Sequence, residues 1–236
     1  MKIKIVHLFP QLLNLYGDKG NINALCKRLT WRDIEAEVKC INTEDEFDIS
    51  DADIIFIGGG TDSEQVTVCQ MLEKKKDEIS DYVENNGVML ATCGGYHMLG
   101  ASWQTDNETV SGLGILDVYT EQGDDRLMGN VIIESPAAGC KITGFENHSG
   151  RTYSNLPPLG ETLFGNGNNG KDKTEGAIYK NVIGTNLHGP VLPANPQLTD
   201  FILSKALEKK YGDVTLSPLD DTAENKAREY IIDKYL

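Results

Sequence analysis

Positive charge is scarce in this chain: 22 Lys and Arg stand against 36 Asp and Glu, for a formal net charge of −14. With no excess of cations to displace counterions from phosphates, generic nucleic-acid binding is excluded, and a small anionic substrate has to find positive charge locally. Long apolar runs are also missing. No stretch approaches the roughly 20 residues a membrane-spanning helix requires, and "MKIKIVHLF" moves directly into a strand-like alternation instead of a targeting segment. The five cysteines, Cys26, Cys40, Cys69, Cys93 and Cys140, are odd in number and contain no CxxC pair. Neither a disulfide framework nor a zinc site follows from them, no metal is expected, and reduced thiols suit the cytoplasm. Internal repeats and long linkers are lacking too, so residues 1–236 read as one unexported cytoplasmic domain, long enough to bury a sizeable core.

What is present is an alternation of strand and helix patterns. Lys2–Phe9, Asp53–Ile57 and Gly87–Ala91 read as strands, with helical segments at Asn21–Leu29 and Ser63–Asn85 between them. That order predicts a parallel sheet with crossover helices, an α/β fold whose ligands bind beyond the carboxyl ends of the strands. Gly58-Gly59-Gly60 and Cys93 each follow a strand and so fall on that rim. After Gly100 glycine and asparagine become frequent. Asn130–Glu134 and Ile183–Leu187 look like further strands, and Gln197–Tyr211 and Asp221–Leu236 like closing helices.

"GNGNNGKD" at Gly165–Asp172 imitates the phosphate-cradling loop of nucleotide hydrolases. Asp172 stands where that loop needs Ser or Thr, and "TEGAIYKNVIG" continues with strand character where a helix N-terminus should face the phosphates. A solvated hairpin loop is expected there. The chain therefore shows no ATP site.

"LATCGGYHMLG" at Leu90–Gly100 surrounds one cysteine with small residues at a strand-to-helix turn. A nucleophile on such an elbow needs small neighbours, since the turn brings backbone close to adjacent strands. A helix beginning at Gly94 would aim its N-terminus at Cys93, lowering the thiol pKa, and the Gly94 N–H would be an oxyanion donor. The alternative is a small buried structural cysteine. Of the four histidines, His7 lies inside the first strand, His148 in an apparent turn, and His97 one helical turn past Cys93 on the helix flank. His188 follows an apolar strand and precedes a Gly-Pro turn, which suits a second rim position for a base.

Cys93 within "CGGYHMLG", the loop "IGGGTDSEQ" and His188 within "LHGP" resemble the class I, cysteine-dependent glutamine amidotransferases of the cobyric-acid-synthase-like branch. "NLYGDKGN", "GFENHSGRTY" and "LHGPVLPANP" are similar to the family of glutaminase subunits of lipid II isoglutaminyl synthase, over nearly the whole chain. The resemblance implies a flavodoxin-like single-domain fold in which Cys93 attacks the carboxamide of L-glutamine and His188 shuttles protons. Gly94 and the Gly59-Gly60 loop would supply oxyanion N–H donors, with no cofactor. Arg126, in "GDDRLMGN", is the candidate for the glutamine α-carboxylate, because a planar fork suits a carboxylate; a surface arginine offset by Asp124 and Asp125 is the other reading. Two positions depart from the family: Pro190 replaces a glutamate two residues past the histidine, and His97 replaces a common glutamine. Asp18 is the candidate third, orienting group.

Ammonia reacts with a carboxylate only after activation, so a chain without an ATP site needs a partner. The resemblance implies a MurT-like ATP-dependent synthetase that amidates D-glutamate in the stem peptide of lipid II. Three alternatives stay open: a glutaminase for another synthetase, such as a cobyrinic acid amidating enzyme; a cysteine hydrolase without a synthetase; and a non-catalytic subunit.

Overall fold

The computed structural model describes residues 1–105 and 108–236. The chain begins β1 (Lys2–Leu8), α1 (Lys19–Thr30), β2 (Glu35–Ile41), β3 (Ile54–Ile57), α2 (Asp62–Glu73), α3 (Lys76–Glu84), β4 (Val88–Thr92) and α4 (Gly94–Leu99). The expected helix over Ser63–Asn85 is two helices, because Lys75 leaves helical geometry at φ −121°. Strand β2 was not foreseen in the sequence: it is an edge strand with exposed Glu35 and Glu37 paired to Lys2, a charged rim that discourages further strand addition.

There follow β5 (Ser102–Gln104), β6 (Thr109–Ser111), β7 (Val118–Ser135), β8 (Cys140–Ser154), β9 (Gly160–Phe164), β10 (Thr174–Glu175), β11 (Ala177–Tyr179) and β12 (Val182–Thr185), then α5 (Val191–Ala194), α6 (Pro196–Tyr211) and α7 (Thr222–Tyr235). The first sheet has the order β11-β12-β4-β3-β1-β2 and is parallel except for β11. Its central strands are covered on both faces, which is why "IIFI" and "VMLAT" carry no polar alternation. Ile55 and Ile57 pack with Val68 and Leu72 of α2 and Ile79 of α3; Ile54 and Phe56 pack with Leu25 of α1 and Ile202 of α6. The fold is α/β, with helices on both faces of this sheet.

The second sheet corrects the expectation of a parallel sheet alone. It runs β10-β9-β7-β5-β6, with β8 paired to β7, and is antiparallel except where β5 meets β7. The β7–β8 hairpin holds register from Val118↔Ser154 to Ser135↔Cys140 with one irregularity, between Gln122 and Leu127. An isolated antiparallel bridge from Phe145 to His188 ties this hairpin to the chain leaving β12, so the two sheets meet at the rim.

Candidate active site

Cys93 is the hinge between β4 and α4. Its backbone lies at φ 51°, ψ −114°, a left-handed conformation that costs a non-glycine residue on the order of 1–3 kcal/mol. The Cys93 N–H donates to Thr185 O at 2.8 Å, which locks the elbow to β12. Around the thiol, glycine is a packing requirement. A Cβ on Gly59 would lie 3.1 Å from Cys93 Cβ and 3.5 Å from Sγ, one on Gly94 would strike the Gln65 amide at 2.4 Å, and one on Gly95 would strike Ile57 O at 2.6 Å. The glycine loop after β3 is thus pressed against the elbow.

The sulfur is half-buried and faces a cavity of about 350 Å³, a size typical of small-molecule sites. Burial pushes the thiol up to about 12, the Asp18 carboxylate adds to this, and the Gly94 N–H and Arg126 oppose it. This overturns the expectation of a thiol lowered by the helix: α4 has six residues, and its N-terminal field does not offset the lost hydration.

His188 is buried and fixed by its backbone, with its N–H donating to Phe145 O at 3.0 Å and its carbonyl accepting from Phe145 N at 3.2 Å. Neither ring nitrogen makes a hydrogen bond of good geometry, although the Asn147 backbone lies close enough to favour the protonated ring. Cys93 and His188 follow the neighbouring parallel strands β4 and β12, but among the described residues no hydrogen bond joins them, and His188 lines a separate cavity with Phe145 and Pro190 while His97 and His148 share the one beside Cys93. Burial and nearby His148 push the His188 imidazole down to about 4. The ring stacks on Tyr16, with centroids 4.1 Å apart and planes at 14°, and Phe145 meets it edge-on at 6.0 Å.

Asp18 does not reach that ring. Its carboxylate accepts from Gly59 N at 3.0 Å and from Thr92 Oγ1 at 3.2 Å, which holds the glycine loop to the end of β4, and burial keeps it above the usual carboxylate range. The Gly59 N–H is consequently occupied. Among the described residues no hydrogen bond engages the Gly60 N–H.

Arg126 sits inside the irregular stretch of β7 and lines the cavity beside Cys93, as a bulge re-aims side chains toward a site. Arg126 is exposed, but among the described residues no ion pair joins it to Asp124 or Asp125, and Asp125 pairs with Arg151. Arg126 Nε donates to Asn147 Oδ1 at 2.5 Å, and Asn147 Nδ2 donates to Tyr16 Oη at 2.8 Å.

His148 lies in β8, not in a turn, and also lines the cavity. Its Nδ1 is 2.8 Å from Gly150 O, and Glu146 lies behind it. His97 lines the cavity as well, with Nε2 3.0 Å from Asn186 Oδ1, and burial holds it near 4. The Gly165–Asp172 segment is the hairpin loop between β9 and β10, as expected, but its middle is not solvated. Asn168 and Asn169 are buried, Glu146 accepts from Asn166 N and Gly167 N at 2.9 Å each, and Asn168 Oδ1 accepts from Asn186 Nδ2 at 3.3 Å. It is the scaffold behind the two histidines.

This constellation agrees with the comparison to known proteins, in which a CobB/CobQ-like glutamine amidotransferase domain matches residues 4–196. The chain belongs to the CobB/CobQ-like glutamine amidotransferase family. Such enzymes draw ammonia from the carboxamide of glutamine. This amidotransferase is 44% identical to the GatD subunit of the glutamine-hydrolysing lipid II isoglutaminyl synthase of Staphylococcus aureus, over 99% of this chain and 96% of that one. The GatD subunit of Streptococcus pneumoniae is 38% identical over 97% of this chain and 90% of its own. A probable cobyric acid synthase of Methanocaldococcus jannaschii is 28% identical over 76% of this chain and 39% of that protein. A crystal structure of a glutamine amidotransferase superposes with a TM-score of 0.58 at 17% identity, covering 85% of this chain and 98% of the other, which supports the fold. No helix among the described residues of this amidotransferase is long and apolar enough to cross a membrane.

Sequence reasoning missed Tyr16, Asn147 and Gln65 as parts of the site. Gln65 donates its amide to Gly60 O at 2.6 Å and lines the cavity. All three sit inside recognisable motifs, but Tyr16 and Asn147 meet across separate elements, which no local pattern announces.

Proposed function

We propose that the chain, folding as one unit over residues 1–236, is the cytoplasmic glutaminase subunit of a lipid II isoglutaminyl synthase. Cys93 Sγ attacks the glutamine carboxamide carbon, and the thiol proton passes through the His188 imidazole to the departing ammonia. The thioester carbon is then attacked by water, which gives its proton to His188, and glutamate leaves with the thiol restored. The Gly60 and Gly94 N–H groups receive the oxyanion, and Arg126 holds the α-carboxylate as a planar fork. The observation that carries this reading is the cysteine on a positive-φ elbow, in contact with Gly59 and sharing a cavity with Arg126.

Ammonia made here is lost unless an activated carboxylate captures it. The partner is a MurT-like ATP-dependent synthetase that amidates D-glutamate of the lipid II stem peptide; near-full-length similarity to two GatD subunits supports this acceptor. The test is reconstitution of the two subunits with ATP and lipid II. Cys93→Ala should block amidation from glutamine, and added ammonium salt should restore it. An assembled Cys93→Ala complex that ammonium cannot rescue, beside a wild-type complex that works, would refute the ammonia-donor role and favour a cysteine hydrolase.

A further inference from the structure

His188 lacks the restraint a catalytic imidazole ordinarily has. Neither ring nitrogen makes a hydrogen bond of good geometry, the Asn147 backbone alone lying close enough to favour the protonated ring; Pro190 occupies the position two residues on, and Asp18 is engaged elsewhere. Two aromatic rings flank it as well. Tyr16 covers one face at 4.1 Å and nearly parallel, while Phe145 contributes an edge. The Tyr16 hydroxyl accepts from Asn147 Nδ2, and Asn147 Oδ1 and carbonyl accept from the Arg126 guanidinium at 2.5 and 3.4 Å. A Cβ on Gly20 would lie 2.2 Å from Pro190 Cγ, so only a glycine lets the start of α1 approach Pro190.

We propose that Tyr16 and Asn147 are positioning residues that tie the substrate-carboxylate clamp, Arg126, to the orientation of the base, His188. This rests on the glutaminase reading above. The Tyr16 stack sets the imidazole plane, and its π-face attracts the imidazolium formed when the thiol proton arrives. Asn147 joins Tyr16 to Arg126, so looseness at either end is felt at the other.

Steady-state glutaminase kinetics of the full chain separate the two links. Tyr16→Leu removes stack and hydroxyl and should lower kcat by roughly 10–100-fold, the scale of a misaligned proton transfer. Tyr16→Phe keeps the ring. It should recover most of kcat while raising the glutamine KM by about 2–10-fold, the scale of one lost hydrogen bond near the clamp. Asn147→Ala should raise KM in the same range. In NMR spectra the His188 ring protons should sit upfield from ring-current shielding, in wild type and Tyr16→Phe, and move downfield in Tyr16→Leu. Unchanged or increased kcat in folded Tyr16→Leu would overturn the proposal, as would a Tyr16→Phe variant with kcat as low as Tyr16→Leu. If Tyr16→Leu does not fold, an unaltered KM in Tyr16→Phe overturns the bridge. His188→Ala is the reference: full activity there would defeat the glutaminase reading itself. An inactive His188→Ala beside a fully active Tyr16→Leu would defeat only the positioning role.

Discussion

In the first sheet Ile54–Ile57 and Val88–Thr92 are buried on both faces by aliphatic side chains, whereas the second sheet buries Thr120, Thr143, Glu146, His148, Thr152 and Glu175. The proposed nucleophile, Cys93, stands on the first kind of scaffold and the proposed substrate clamp, Arg126, on the second. Cys93 is placed by backbone: parallel pairing of β4 with β3 and β12, one bond to Thr185, and glycines that allow close approach. Arg126 and the histidine surroundings are placed by side-chain hydrogen bonds across a long hairpin. Apolar packing tolerates volume-conserving change, while a buried polar network fails when one member is removed. The two halves should therefore answer mutation differently.

The largest effect is expected where the sheets meet. His188→Ala should lower glutaminase kcat by roughly 10²–10⁴-fold, while His97→Ala, whose ring is occupied with Asn186, should cost far less, measured as glutamate release. Equal losses with unchanged KM would remove His188 as the base.

Next comes the polar scaffold. Burial pushes Glu146 up, but the His148 ring 3.7 Å away and the hydrogen bonds from Asn166 outweigh it and hold the carboxyl below its ordinary value. Glu146→Ala strands the Asn166 and Gly167 N–H groups and should cost about 2–4 kcal/mol in urea unfolding. Because the folded-state pKa is depressed, wild-type Glu146 contributes stability that is present above its unfolded pKa of about 4.3 and is lost as pH falls through the folded value. The alanine variant should lack that part of the acid dependence. A conservative cavity mutant in the first sheet, Ile55→Val, should cost only about 0.5–1.5 kcal/mol. Equal costs would erase the contrast between the sheets.

A narrower effect concerns Arg126. Loss of a charge-assisted contact to a carboxylate costs about 1.5–3 kcal/mol, so Arg126→Ala should raise the glutamine KM by roughly 10–100-fold while Cys93 still reacts with iodoacetamide. An unchanged KM would return Arg126 to the surface.

Much of the first sheet was legible because its strands announce themselves as short apolar runs and its glycines as steric necessities. Lys2–Phe9, Asp53–Ile57 and Gly87–Ala91 match β1, β3 and β4 to within a residue or so. The second sheet was legible at Asn130–Glu134, inside β7, and elsewhere was not, because strands such as "VYTEQGDDRLMGNVIIES" bury polar groups and so lose the alternation that marks a strand. His148 read as a turn for that reason, and the Gly165–Asp172 loop read as solvated because asparagines usually face water. Here they satisfy Glu146 and Asn186. The thiol was misjudged from a local dipole when burial decides its direction.

The smallest effect follows from that thiol. Asp18→Asn keeps acceptor and donor for Gly59 and Thr92 but removes a negative charge near Cys93, so the thiol should titrate lower and alkylation below pH 9 should quicken a few-fold. An unchanged rate would assign the raised thiol to burial alone.

The most direct measurement is peptide mass spectrometry of the chain after reaction with a glutamine-like electrophile, diazo-oxo-norleucine, with and without excess L-glutamine. One adduct at Cys93 that glutamine suppresses is the expected result, together with unmodified Cys26, Cys40, Cys69 and Cys140. Glutamine-protected labelling at any of those four, or undiminished ammonia release with Cys93 changed to alanine, would contradict Cys93 as the nucleophile.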